Sequence, residues 1–429
     1  MSIVIDDKKI TDINISNKNV QKIVDILTGK IIFEKTSSNE YFYIENTYNG
    51  SNTISLVTTV GTAEITGPHA TQLQYSKDKE TWTTITLSGT NKILMLLGER
   101  VYFRNDSGGF NWYNDSNSED RFYTQIKCSN YHKVGGNINS LLDYNNYNVA
   151  ITPYCFYELF YGNEYLTDAS EIIFSKTSLA NSCYQSMFMD CTKLTTAPAL
   201  PATTLADLCY KYMFNGCTSL TTTPELPATT LADDCYSGMF GGCTSLTSAP
   251  ALPATNLKLY CYYGMFAGCT SLTSAPELPA TTLPIYCYQY MFNGCTSLTT
   301  APALPATTLA MSCYSSMFSG CKKLTTAPEL PANTLADYCY IGMFYGCTSL
   351  TTAPELPATT LTDGCYYGMF QNCSSLNNVT SYANDISALN CTTDWLSGVA
   401  SSGTFRNLGS AKYSRDVNGI PFGWTEVKN

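Results

Sequence analysis

Histidine is almost missing from this chain: 429 residues hold two, His69 and His132. A cysteine nucleophile needs a base beside it, and neither histidine lies in the cysteine-rich stretch. Zinc sites need ligands two to four residues apart, a spacing these cysteines do not show. Charge is also sparse: 14% of residues are Asp, Glu, Lys or Arg, the balance is −10, and no basic stripe occurs. Phosphate backbones need clustered cations, so nucleic acid is not expected as a partner. No window approaches the ~18 apolar residues of a spanning helix, so no membrane insertion is expected. The start, MSIVIDDKKITDINIS, lacks the basic-then-apolar order of a secretory leader. P-loop, GxSxG, HExxH and dinucleotide fingerprints are missing too. These gaps point away from an enzyme, a metal and a cofactor.

What the chain does have is a repeat. Cysteines recur at 183, 209, 235, 261, 287, 313, 339, 365 and 391, and again at 191, 217, 243, 269, 295, 321, 347 and 373, always 26 apart. The first copy starts at Cys155 and carries Asn163 in place of its second cysteine. The last, from Cys391, is degenerate. Atypical end copies are the mark of capping units. Nineteen cysteines is an odd number, and a cytoplasmic site of synthesis is reducing, so free thiols are expected rather than a disulfide framework.

The unit reads L-T-T-A-P-E-L-P-A-T-T-L-A-D-x-C-Y-x-x-M-F-x-G-C-T-S. Its first part, such as Leu220 to Pro227, is Thr-rich and broken by Pro224 and Pro227, which predicts a short strand and an extended connection. Its second part places Cys209, Met213 and Cys217 four apart, which predicts a helix of about two turns. Asp207, Asp233, Asp337 and Asp363 stand where N-caps are wanted. Gly216, Gly242, Gly268, Gly294, Gly320 and Gly346 stand where left-handed C-caps are wanted, with Asp190 and Asn372 as substitutes. One unit is too small to hold a core alone, so the units must stack.

L-x-x-A-x-x-L-P followed by M-F-x-G-C-T-S-L resembles the BspA-like leucine-rich repeats of bacterial surface proteins and their phages. The resemblance covers residues 151–400. It implies an α/β leucine-rich-repeat solenoid of about ten 26-residue coils, in a family whose members mostly act in adhesion.

Stacking turns equivalent residues into ladders. Cys183, Cys191, Cys209, Cys217, Cys235, Cys243, Cys261 and Cys269 begin two of them. Neighbours ~4.8 Å apart do not exclude bridges by distance. Ladder side chains run parallel, however, and a reduced cysteine packs as a small hydrophobe, so packing is the favoured reading. Tyr184, Tyr210, Tyr236, Tyr262, Tyr288, Tyr314, Tyr340 and Tyr366 form a third ladder, expected as a structural stack along the helix side. Glu225, Glu277, Glu329 and Glu355 form an acidic row, read as solubility and edge protection.

The positions that vary between copies carry more information. They hold Tyr212, Tyr260, Tyr263, Tyr286, Tyr290, Tyr338, Tyr345 and Tyr367, among Asn, Ser and Gly. That is the palette of adaptable recognition surfaces. These eight tyrosines are the candidate ligand-binding residues. The competing reading is drift at exposed sites.

Residues 1–35 alternate with period two and look like the N-terminal attachment segment of phage virion proteins. Residues 36–135 are strand-rich, with "NGSN", "SGT" and "NDSGG" as turns, and alternate around Trp82 and Phe103. A β-sandwich is expected there. Residues 136–400 carry the repeats and their lead-in, and 401–429 form a C-terminal cap. Trp395 and Trp424 are expected to plug the last coil. The resemblance implies a non-enzymatic virion appendage, such as a tail fibre, made in the bacterial cytoplasm. Its partners would be other virion proteins through the N-terminal segment and a host-surface glycan or protein through the repeats, with a homotrimer as its assembly. The alternative is a bacterial cell-surface adhesin.

Overall fold

The computed structural model describes residues 22–24, 31–34, 40–61, 69–106, 110–113 and 121–428. Residues 1–40 form a unit of their own. Within it β1 (Lys22–Val24) and β2 (Ile31–Glu34) pair antiparallel, with Lys22 opposite Glu34. The rest of the expected attachment segment lies outside the described residues.

The second unit, from Tyr41 onward, opens with two sheets. Its strands are β3 (Phe42–Asn46), β4 (Asn52–Val60), β5 (Gln72–Ser76), β6 (Thr83–Thr86), β7 (Gly89–Met95), β8 (Arg100–Arg104), β9 (Trp112–Tyr113), β10 (Arg121–Cys128), β11 (His132–Asn137) and β12 (Leu166–Ile173). One sheet orders β7-β4-β10-β9, the other β12-β11-β3-β8-β5-β6. Burial alternates along β4 and β10, as period-two patterning demands. Ile54, Leu56, Phe122 and Ile126 from the first sheet and Phe42, Ile44, Val101 and Phe103 from the second are buried in the core.

The second sheet does not stop at the edge of this region. β11 is antiparallel to β3 on one side and parallel to β12 on the other, with Gly136 opposite Ile172. β12 belongs to the first coil, so the repeats grow out of this second sheet. Asn163 explains its departure from the cysteine pattern here. Its amide donates to the Ile126 carbonyl at 3.1 Å and contacts His132 Nε2 at 3.2 Å, closing the first coil onto the strands before it.

The expected helices are not there. Among the described residues one short 3-10 turn occurs, Ile138–Leu141, in the lead-in. Each Cys-to-Cys segment is instead a train of tight turns in which alternate amides part ways. The N–H groups of Cys209, Lys211, Met213, Asn215 and Cys217 bond the carbonyl three residues back, at 3.1–3.3 Å. Those of Leu208, Tyr210, Tyr212, Phe214 and Gly216 bond carbonyls of the next coil, at 2.7–3.1 Å. Every fourth residue is left-handed: Leu208 (φ 59°), Tyr212 (55°) and Gly216 (74°). A positive φ at that interval breaks a right-handed helix. The spacing is a true four, which resembles 3.6 over so short a stretch.

The capping aspartates are corrected with the helices. Asp207 accepts from the Asp233 N–H at 3.1 Å and Asp233 from the Leu259 N–H at 3.0 Å, each one coil on. The glycines at 216, 242, 268, 294, 320 and 346 do adopt positive φ, as do Asp190 and Asn372, but as the last joint of a turn train rather than a helix cap.

The other side of each coil is also looser than a regular strand. Between β12 and β13 (Thr352–Leu356) the coils touch through isolated parallel bridges, such as Ser274 to Thr300 and Thr282 to Thr308. The two prolines per coil remove the N–H donors a ladder needs. Threonine hydroxyls stand in: Thr273 donates to the Thr247 carbonyl and Thr299 to that of Thr273, both at 3.3 Å. A sheet returns at the last proline-bearing coil, whose strand β13 still holds Pro354 but joins strands that have no proline. β13, β14 (Asn378–Ser381), β15 (Gly403–Asn407) and β16 (Trp424–Lys428) pair in parallel, in that order.

Between the two sides lies the core. The tyrosine ladder is buried and stacked, with centroids 5.7–6.1 Å apart from Tyr184 to Tyr366. It follows the turn trains rather than a helix flank. A parallel phenylalanine column runs from Phe160 to Phe370. Trp395 continues the tyrosine stack at 6.1 Å from Tyr366, and its Nε1 donates to the Gly419 carbonyl at 2.8 Å. Trp424 is also buried and donates to the Ala400 carbonyl at 2.8 Å.

Candidate functional site

All nineteen cysteines are buried and free. The second series has a specific task. Cys217 Sγ donates to the Phe188 carbonyl at 3.1 Å, Cys243 to Phe214 at 3.2 Å and Cys269 to Phe240 at 3.1 Å, and the pattern continues to Cys373. Each thiol thus ties its coil to the one before. Burial pushes the Cys191 and Cys243 thiols up to about 12. Such thiols are poor nucleophiles, because reactivity belongs to the thiolate.

The residue before the first cysteine and the third after it fall at the left-handed joints. Tyr212, Tyr260, Tyr286, Tyr290 and Tyr338 therefore hold φ of 52–59°. Glycine takes the same joints in sister coils, at Gly238, Gly264, Gly342, Gly364 and Gly368. A bulky side chain in this region costs about 1 kcal/mol or more, whereas glycine enters freely.

Five of the eight candidate tyrosines come together. Tyr260 stacks on Tyr286 at 4.7 Å and 11°, meets Tyr263 edge-on at 5.7 Å, and Tyr263 meets Tyr290 edge-on at 5.6 Å. With Tyr212 they border two adjoining hollows on four consecutive coils. One, of about 280 Å³, is floored by Gly238, Gly241, Gly242, Gly264 and Ala267, with Asn215 and Asn293 beside Tyr212 and Tyr290. The other, of about 460 Å³, holds Lys211, Asp234, Ser237 and Gln289 beside Tyr260 and Tyr286. Tyr212 and Tyr263 line both. Lys211 is tied to Asp234 at 2.9 Å. Burial, and then the neighbouring Tyr290, push the Tyr263 hydroxyl above its usual range.

Tyr338, Tyr345 and Tyr367 do not join this cluster. They stand further along the face, 38%, 42% and 37% exposed. Tyr345 accepts from the Asn372 amide at 3.1 Å. The acidic row is exposed on the proline side. A larger hollow of about 580 Å³ lies there, lined by Pro198, Pro201, Pro224, Pro227 and Glu225, and none of the eight tyrosines reaches it.

Gly238 and Gly264 were not among the candidate residues, yet they create the depth. The available signal was their coincidence with Tyr212 and Tyr290 at the third position after the cysteine. A tyrosine in one coil and a glycine in the next is a step in the surface.

No curated protein and no solved structure matches the chain. The model of the BspA type leucine rich repeat region matches residues 137–273 and 261–390, in six copies. That span is more than half of the chain, and it coincides with the coils just described: the chain belongs to the BspA type leucine-rich repeat family.

Proposed function

We propose that the chain is a non-enzymatic adhesion protein whose repeats form a solenoid of about ten coils and whose varied face is the recognition surface. The observation that carries this reading is the placement of five tyrosines at left-handed joints. Glycine fills the same joints elsewhere at no steric cost. Left-handed joints recur along the whole array, and serine, leucine and aspartate hold several of them. Around the paired hollows tyrosine holds four, at Tyr212, Tyr260, Tyr286 and Tyr290, so aromatic surface is concentrated there. Tyrosine supplies rigid, amphipathic contact area at low entropic cost, as recognition surfaces require.

The test is capture of the purified chain on a mucin-coated surface. Tyr212→Ala, Tyr263→Ala and Tyr290→Ala combined should weaken capture by about tenfold or more. Glu277→Ala with Glu329→Ala should leave it within about twofold. Equal losses from the two sets would sink the reading. Placement on a phage particle is a separate proposal resting on the resemblance of residues 1–35. Mass spectrometry of purified particles checks it, with the surface of uninfected cells as the competing location.

A further inference from the structure

The smaller hollow offers an unusual combination of surfaces. Its floor is four glycines and the methyl of Ala267, and every N–H of that backbone is already bonded. The N–H groups of Gly238, Gly242 and Gly264 bond the next coil at 2.7, 2.7 and 2.8 Å, and those of Gly241 and Ala267 close turns at 3.0 Å. The Gly238 carbonyl accepts from Gly241 and also from the Asn215 amide, the latter at 3.2 Å. An extended peptide docks by exchanging main-chain hydrogen bonds, and this floor has no N–H to give. No charged residue lines the hollow. An anionic ligand finds no free cation, because Lys211 sits in the neighbouring hollow bound to Asp234. What remains is a CH-rich floor, ring surfaces of Tyr212, Tyr263 and Tyr290, and a rim of phenol hydroxyls and asparagine amides.

That set complements a flat ring with an apolar CH face and a hydroxyl rim. The geometry points to a neutral, pyranose-based oligosaccharide as the ligand of this hollow, its CH face against tyrosine and glycine, its hydroxyls to Asn215, Asn293 and the phenols. Tyr212/Asn215 and Tyr290/Asn293 are the same residue pair three coils apart, so the hollow offers equivalent contacts at its two ends. They suit a chain of like sugar units better than a single monosaccharide. At about 280 Å³ it is just below the ~300 Å³ at which small-molecule sites begin, which fits a short glycan segment. This assignment rests on the recognition role proposed for the varied face.

The experiment uses the full chain and mucin in three forms: intact, sialidase-treated, and stripped of all glycan. Intact and sialidase-treated mucin should capture the wild type equally, the stripped polypeptide should not, and millimolar chitotriose or cellotriose should compete. Two variants borrow residues that this scaffold already carries at equivalent positions, so folding is preserved. Ala267→Tyr copies Tyr345 and fills the floor. Tyr290→Gly copies Gly342 and removes a wall. Both should lower capture about tenfold, with an unchanged or higher Tm. Capture that survives glycan removal, or vanishes with sialidase, overturns the glycan class while leaving the recognition face intact if the variants still fail to bind. Variants that bind like wild type, or a wild type that no form of mucin captures, overturn both.

Discussion

An edge of the Tyr212 ring lies against Gly238 of the next coil, so close that a Cβ there would stand 2.3 Å from two ring carbons. Tyr338 rests on Gly364 in the same way, at 2.4 Å. Gly238 also holds φ 59°. Gly238→Ala should therefore lower stability by about 1–2 kcal/mol from the left-handed backbone alone, and it should lift the Tyr212 ring off the surface. Thermal unfolding measures the first effect and the Tyr212 ring resonances the second. An unchanged Tm with unchanged ring shifts would contradict the contact.

The turn trains make a spectroscopic prediction. A chain with about ten short helices would give the double minimum of helix in far-ultraviolet circular dichroism. This chain should give a spectrum of strand and turn. Its amide exchange should nevertheless be slow at alternate positions through the coils, because those N–H groups are bonded across coils. A helical spectrum would refute the turn geometry.

The thiols should be invisible until the fold is lost. Native protein at mildly alkaline pH should react with a thiol reagent at almost none of its nineteen cysteines. Denaturation without reductant should then release all of them. Burial raises their titration well above that pH, and thiolate is the reactive form. A shortfall after denaturation would count bridges.

His132 makes the junction acid-sensitive. Burial pulls its titration from the usual 6.5 down to about 4, opposed by its hydrogen bond to the Asn130 carbonyl. With Nδ1–H donating there, Nε2 is left to accept from the Asn163 amide, which only the neutral ring can do. The folded value lies below the unfolded one, so the stability is fully present above pH 6.5. It falls as pH drops from 6.5 towards 4, by roughly 3 kcal/mol in all. A Tm-against-pH profile should carry this slope, and His132→Asn should flatten it. Equal slopes in both proteins would remove His132 from the junction.

The period, the ladders and the end copies were all legible in the sequence, because packing holds them identical from coil to coil. The turn trains were not. Cys209, Met213 and Cys217 recur at four, which a helix of two turns nearly satisfies. What decides for turns is the tolerance of every fourth residue for positive φ. Gly216 and its equivalents display that tolerance, whereas at the other joints glycine is mixed with tyrosine, leucine and serine, which conceal it. The tyrosines were legible as a varied set, but the hollows were not. Their depth comes from small residues in neighbouring coils, and only the stacking register brings Gly264 and Ala267 between Tyr212 and Tyr290.

In the peptide joining Cys209 to Tyr210, the carbonyl accepts from the coil before and the N–H donates to the coil after. Every second peptide of the turn trains is arranged likewise, so these dipoles point one way along the stack, as they do along the axis of a helix. The column then has a carbonyl pole at its first coil and an amide pole at its last. Both are capped. Asn111 and Ile126 of the strand-rich region donate to the carbonyls of Cys155, Tyr157 and Leu159, and Asn418 accepts from the Asp394 N–H. A duplicated coil would insert between these poles and leave both unchanged, so the array can change length by whole units without either end having to be rebuilt.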